Sequence, residues 1–256
     1  MKDVSTRSDL ATTASNGFSD VESALRGREA AFAEFLAEID GLASFLEAIG
    51  TEAPPQPRWA QDWFPGLDGA AAYTLTRKLK PRRIVEIGSG HSTRFLARAV
   101  HDGKLSTELV AIDPSPRAKV AGLKVEHHPL KLQEAEIGSL FSLQVNDFLF
   151  VDSSHILTSG SDVDVIVNGI VPSLSRGVVV HFHDMFFPDD YPASWAWRRY
   201  NEQQAVLPLI TSAHYEILFS SHYARTRMSE AVSRTVMARL PLPFGAIESS
   251  LWARKV

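Results

Sequence analysis

Between residues 83 and 182, short runs rich in Val, Ile and Phe alternate with longer stretches of mixed polarity. The runs at 83–87, 108–112, 123–127, 147–151 and 177–182 read as strands. The stretches near 92–101, 115–121, 131–143 and 161–173 read as helical or mixed. Few folds accept this order. A strand, a helix and a second parallel strand make a βαβ unit, and several such units build a parallel sheet covered on both faces. A helix is expected over 195–207, and 215–221 and 249–254 read as two closing strands. The count is seven.

An extension precedes this region. Residues 1–18 are rich in Ser, Thr, Ala and Asn without periodicity and read as a mobile tail. Ser19-Asp-Val-Glu22 has the form of a capping box. Phe32, Phe35, Leu36, Ile39, Leu42, Phe45, Leu46 and Ile49 then recur at spacings of three and four, the mark of one apolar helix face, with Gly50 as its stop. That face is expected to pack on the main domain, and a homodimer interface or a lid is the alternative. Residues 51–65 carry four prolines with Trp59 and Trp63 and read as an extended connector. Three segments result: a tail over 1–18, a helix and connector over 19–65, and the main domain over 66–256.

Composition narrows the partners. Lys and Arg number 26 against 30 Asp and Glu, a formal net charge of −4, so no global basic face invites nucleic acid or an anionic membrane. The N-terminal residues lack an apolar signal core and no run approaches a membrane span, which makes a soluble, cytoplasmic protein the expectation. The absence of cysteine removes disulfides, thiolate catalysis and Cys-type zinc sites. A metal would need His, Asp and Glu.

The most informative stretch is Ile84-Val-Glu-Ile-Gly88-Ser-Gly90-His-Ser-Thr-Arg94. A strand ends in an acid, and a glycine turn then opens a helix near Ser92. Glycine lets the backbone curl and approach a ligand without a Cβ in the way. The helix start offers free N–H groups. A dinucleotide fingerprint wants a third glycine where Thr93 stands, and a phosphate-binding loop wants a Lys that is missing. Leu109-Val-Ala-Ile-Asp113 ends the next strand in an acid 25 residues after Gly88. A carboxylate there can accept both hydrogen bonds of a ribose diol.

Glu86-x-Gly88-x-Gly90 resembles motif I of the class I S-adenosylmethionine-dependent methyltransferases. The resemblance extends to Asn146-Asp-Phe-Leu-Phe-Val-Asp152, similar to the family's motif IV strand. Leu174-Ser-Arg-Gly177 is similar to its fifth-strand approach, with Arg176 in place of a glycine. The closing strand pair fits as well, so the resemblance covers most of 70–256. It implies an α/β, Rossmann-like, seven-stranded and mostly parallel sheet with an antiparallel last strand, plus the N-terminal helical extension. It implies S-adenosylmethionine as cofactor, bound by Glu86, Gly88, Ser89, Gly90, Asp113 and Asp152. In that family the turn passes beneath the cofactor's amino-acid part and the strand-end acid helps hold its ammonium group. It also implies methyl transfer to a small-molecule acceptor, most plausibly at oxygen.

Five further groups fall at the ends of the fourth and fifth strands: Asp152, His155, His181, His183 and Asp184. Inside its strand, His181 reads as structural. His155 and His183, with Asp152, are the catalytic candidates, an imidazole being suited to act as general base on an acceptor hydroxyl. The alternative is a divalent metal on Asp152 and Asp184 that polarises the acceptor oxygen. Different readings again are a nicotinamide-dependent oxidoreductase, against which Thr93 and the final strand pair argue, and a non-catalytic cofactor-binding protein. Phe186, Phe187, Tyr191, Trp195, Trp197 and Tyr200, with Trp59, Trp63 and Tyr73, are expected to wall a pocket or to bury the extension. The basic run 223–234 reads as a solvated face.

Overall fold

The computed structural model describes residues 18–256. The tail expectation therefore lies outside the described residues, Phe18 aside. Seven strands form one sheet: β1 (Arg83–Ile87), β2 (Glu108–Ile112), β3 (Glu126–His128), β4 (Phe148–Val151), β5 (Val179–Phe182), β6 (Tyr215–Ser220) and β7 (Leu251–Lys255). Their order is β3-β2-β1-β4-β5-β7-β6. β7 runs antiparallel to both of its neighbours, while the pairs from β3 through β5 are parallel. This is the doubly wound, Rossmann-like sheet that the alternation implies.

The central strands are apolar because both of their faces are covered. Ile84, Val85, Phe148, Leu149, Phe150 and Val151 are all fully buried. Burial of each such side chain contributes about 1.5–3 kcal/mol, which fixes the sheet despite strands of only four or five residues. Ile84 sits opposite Leu109 on one side and Phe148 on the other. Strand order reverses between β1 and β4, so the crevice at their carboxyl ends is the place where a sheet of this kind accepts a ligand.

Three helices carry the extension: α1 (Ser19–Arg26), α2 (Glu29–Asp40) and α3 (Ala43–Glu47). The capping box is not used, because Ser19 is already helical and Phe18 is the N-cap without a side-chain bond. The single apolar face is divided by a break at Gly41–Leu42. It nevertheless packs as one surface: Phe32, Phe35, Leu36, Ile39, Leu46 and Ile49 join the core of the sheet. Phe35 meets the edge of Phe219 in β6 at 4.9 Å between ring centroids. Most of that face is thus covered by the chain's own residues, with Leu42 half-buried and Phe45 exposed. Of the two connector tryptophans, Trp59 is buried and donates from Nε1 to Leu46 O, whereas Trp63 stays on the surface.

The remaining departures from the sequence reading are local. The third strand begins at Glu126, because Pro114, Pro116 and Gly122 break the chain before it and 115–121 forms no helix. The stretch 131–143 holds only the short turns Leu132–Glu134 and Ile137–Leu140. The helix expected over 195–207 is two elements, a 3₁₀ turn (Ala193–Arg198) and a helix (Glu202–Thr211), parted by Arg199 in the left-handed region at φ 56°. Helices α4 (Gly66–Leu79) and α5 (His91–Asp102) pack on each other beside β1. Among the described residues no helix is long and apolar enough to cross a membrane.

Candidate active site

The glycine turn leaves β1 at the β1–β4 junction. Gly88 has φ 85°, and a Cβ built on it would lie 2.0 Å from the carbonyl oxygen of Asp152. The two strand ends are also hydrogen-bonded, Asp152 N to Ile87 O at 2.9 Å and Gly88 N to Ile112 O at 3.0 Å. Only glycine fits. The following helix is fixed from below: Thr93 Oγ1 accepts from Gly90 N at 2.9 Å and donates to Glu86 at 2.6 Å. The residue that spoils a dinucleotide fingerprint is therefore the cap of this turn.

Glu86 differs from its expected setting. It is fully buried, and its two oxygens accept from Ser92 Oγ (2.5 Å) and Thr93 Oγ1 (2.6 Å). Burial pushes its carboxyl up to about 8, although the hydroxyls from Ser92 and Thr93 pull the other way. An unfolded Glu titrates near 4.5, so folding takes up a proton between these values, and stability falls as pH rises through the window. Glu86→Gln removes this titration. The variant should gain on wild type by roughly 4 kcal/mol between about pH 5 and about pH 9 in urea unfolding. A gap that does not change with pH would disprove this account of the buried carboxyl.

Asp113, at the end of β2, accepts from Ser89 N (2.7 Å) and Ser89 Oγ (3.0 Å) on one oxygen and from Ser115 N (2.7 Å) on the other. It lines a cavity of about 440 Å³ with Gly88, Ser89, Gln133, Asp152 and Ser154. A second cavity of about 240 Å³ adjoins it, and Ser89, Arg117 and Asp152 line both. Asp152 is the junction.

The structure gathers the predicted acids and histidines on the wall of this second cavity. His155 Nε2 lies 3.4 Å from both Asp152 Oδ1 and Asp184 Oδ2. His183 Nδ1 lies 3.5 Å from Asp152 Oδ1 and 3.6 Å from Asp184 Oδ1. Each ring is backed by a further buried acid, His155 Nδ1 by Glu202 at 2.8 Å and His183 Nε2 by Asp68 at 3.3 Å. Burial alone would lower both imidazoles. For His155 the carboxyls of Asp184, Asp152 and Glu202 prevail, for His183 those of Asp152, Asp184 and Asp68, and both stand well above the usual histidine range. Burial would likewise raise Asp152, but the two imidazoles hold it well below the usual carboxylate range. The groups form one charged network. His155 and Asp184 hold φ of 61° and 56°, strained values for residues with side chains.

His181 takes no part. It stacks on Phe150 at 3.7 Å, its Nε2 lies 2.9 Å from Ser250 Oγ, and burial together with His183 keeps it well below the usual range. β5 ends at Phe182, which frees His183 and Asp184 from strand alternation. Among the described residues no three His, Asp or Glu side chains are arranged to hold a metal ion.

Two members of the network escaped the sequence reading. Asp68 and Glu202 each sit in the first turn of a helix, where an acid ordinarily answers the helix dipole. Nothing in their neighbourhoods marks them. In space Asp68 accepts from Ser249 N and Ser250 N, tying the start of β7 to the site. The basic run is a solvated face only in part: Tyr223 and Ala224 are buried, Arg225 pairs with the buried Glu248, and Arg227 pairs with Asp189.

A family model described as "Methyltransferase domain" matches residues 85–185. No curated protein matches the chain. Among solved structures, the apo form of CmcI-N160 is 15% identical, covers 79% of this chain and 76% of its own, and has a TM-score of 0.48. A Podospora anserina methyltransferase bound to S-adenosylhomocysteine is 20% identical over 85% and 88%, TM-score 0.43. An O-methyltransferase from Bacillus cereus, also with S-adenosylhomocysteine, is 14% identical over 86% and 90%, TM-score 0.45. The matched segment runs from inside β1 to just past β5 and contains the glycine turn, Asp113, Asp152, His155, His183 and Asp184, while Asp68 and Glu202 lie outside it. Over residues 85–185 the chain is thus similar to a methyltransferase domain, and the sheet order and the glycine turn at the β1–β4 junction frame that segment.

Proposed function

We propose that the chain is an S-adenosylmethionine-dependent methyltransferase that acts on a hydroxyl oxygen of a small molecule seated in the 240 Å³ cavity, with His155 and His183 handling the acceptor's proton. One observation carries the reading: Asp152 lines both cavities, with both imidazoles beside it. S-adenosylmethionine, when bound, supplies an electrophilic methyl group on a sulfonium. Gly88, Ser89 and Gly90 would lie beneath its amino-acid part, and Asp113 would take the ribose hydroxyls. Glu86, closed off from the cavity, would support the turn and not touch the cofactor.

In-line displacement at a methyl carbon needs alignment more than covalent help. A neutral hydroxyl must still lose its proton. The network holds both imidazoles charged at rest, so one must release a proton before it can accept another. A cation arriving beside Asp152 favours that release by like-charge repulsion. Calorimetric titration with S-adenosylmethionine, S-adenosylhomocysteine and NAD tests the cofactor assignment. The first two should bind; NAD binding in their place overturns it. His155→Ala and His183→Ala should leave S-adenosylhomocysteine affinity nearly intact. At least one should cut labelled-methyl transfer to a phenolic probe, 3,4-dihydroxybenzoate, by roughly 10²–10⁴-fold. Full activity in both variants would make the pair structural.

A divalent metal on Asp152 and Asp184 is the second reading, suggested by the four side chains whose donor atoms face one another at 3.4–3.6 Å. The side chains are not arranged as a metal site, and no step is routed through one. Chelation should leave activity intact. Loss of activity, restored by one specific divalent ion, would replace the imidazole mechanism.

A further inference from the structure

Charge is divided within the acceptor cavity. Asp152, Asp184 and the two imidazoles line it together with Arg117 and Arg198. Each guanidinium lies on aromatic faces. Arg117 sits 4.6 Å from the ring centroid of Trp63, and Arg198 sits 4.2 Å from Trp195, 5.3 Å from Trp197 and 5.4 Å from Tyr200. Arg198 gives one hydrogen bond to Tyr200 Oη at 3.0 Å, and its Nε is shut from solvent without a partner. Neither guanidinium has an ion pair among the described residues, unlike Arg83, Arg98, Arg225 and Arg227. Asp62 lines the cavity as well, beside His91. On the same wall, burial first and then Arg94 and Arg58 push His91 down to about 4, against the carboxyl of Asp62.

A guanidinium stacked on an indole keeps its in-plane N–H edge free, and that edge matches a planar or tetrahedral oxyanion. Resting on the methyl-transfer reading, we infer that the acceptor is a hydroxylated aromatic anion. Its carboxylate or phosphate binds at Arg198, with Arg117 beside it, and its hydroxyl points at Asp152 and the imidazoles. The reverse orientation would set the anion against Asp152 and Asp184, which like-charge repulsion opposes. Trp63, Phe64 and Trp195 line the same cavity and offer aromatic surface to a flat ring. Arg117 also lines the cofactor cavity, so Arg198 isolates the acceptor's share.

The test uses the full chain saturated with S-adenosylhomocysteine and titrated calorimetrically with 3,4-dihydroxybenzoate, catechol and dopamine. These share a diol and differ in charge. The anion should bind at least about tenfold more tightly than catechol, and dopamine most weakly. Arg198→Gln should erase the preference for the anion while leaving catechol and S-adenosylhomocysteine affinities as they were. Competition by benzoate and phenyl phosphate against 3,4-dihydroxybenzoate assigns the oxyanion. Catechol or dopamine binding as tightly as the anion, an undiminished preference in Arg198→Gln, or no competition by either anion overturns the inference. If S-adenosylhomocysteine itself fails to bind, it is the methyl-transfer reading that falls.

Discussion

Gly88→Ala should abolish S-adenosylmethionine binding. The new Cβ would lie 2.0 Å from the carbonyl oxygen of Asp152, a separation that no pair of heavy atoms tolerates, and the obstacle is backbone. The residue also sits at φ 85°, where an L side chain costs about 1–2 kcal/mol on its own account. Relief requires β1 and β4 to part at their carboxyl ends. The bond from Asp152 N to Ile87 O resists that movement, the bond from Gly88 N to Ile112 O holds the turn against β2, and Phe150 and Val151 are packed behind it. Forced overpacking of this kind costs about 1–3 kcal/mol of stability. The larger effect falls on the cofactor, since the floor it would lie on moves. S-adenosylhomocysteine affinity should fall by at least about 100-fold, equivalent to about 2.7 kcal/mol, together with a lower unfolding temperature. Gly169→Ala is the control, because nothing lies within 4 Å of a Cβ there. Affinity retained in Gly88→Ala would mean that the turn does not carry the cofactor.

The legible and the hidden parts of this molecule differ in the length scale of the interactions that set them. Gly88 can be read from the sequence because its requirement is local: strand end, tight turn, helix start. Asp113 and Asp152 are legible for the same reason, each being the first polar residue after a buried run. His181 is likewise assigned from its place inside a strand, and its stack on Phe150 agrees. Asp68 and Glu202 are hidden because their partners lie 115 and 47 residues away in sequence, at His183 and His155. Their local patterns already have a sufficient explanation as helix-start acids. Glu86 is misleading for a subtler reason. The strand-end acid is visible, but whether it faces a ligand or the underside of the next helix depends on Ser92 and Thr93, two hydroxyls that fold back on it. The helix breaks at Gly41 and Arg199 belong to the same class, set by which neighbour each segment packs against.

Asp152→Asn should separate the electrostatic work of the junction from its shape. Asparagine keeps the size of the side chain and one acceptor oxygen and leaves the backbone carbonyl beside Gly88 in place. The negative charge and the second acceptor are lost. S-adenosylmethionine carries a sulfonium and its demethylated product a neutral thioether, so a carboxylate beside the sulfur favours the first over the second. A unit charge held close in partly solvated protein is worth about a few kcal/mol at most, and solvent at a side chain that is 30% exposed screens part of it. A loss of about tenfold in S-adenosylmethionine affinity, with that for S-adenosylhomocysteine nearly unchanged, is the expected result. Turnover of 3,4-dihydroxybenzoate should fall further, by about 10³-fold. Asp152 also orders the imidazoles of His155 and His183, which lie 3.4 and 3.5 Å from the same oxygen. Equal losses for the two cofactor forms would reduce Asp152 to a wall of the cavity. Unchanged turnover would move the proton-handling step away from this network altogether. The expected asymmetry, by contrast, ties the methyl donor's charge and the acceptor's proton to a single carboxylate at the end of β4.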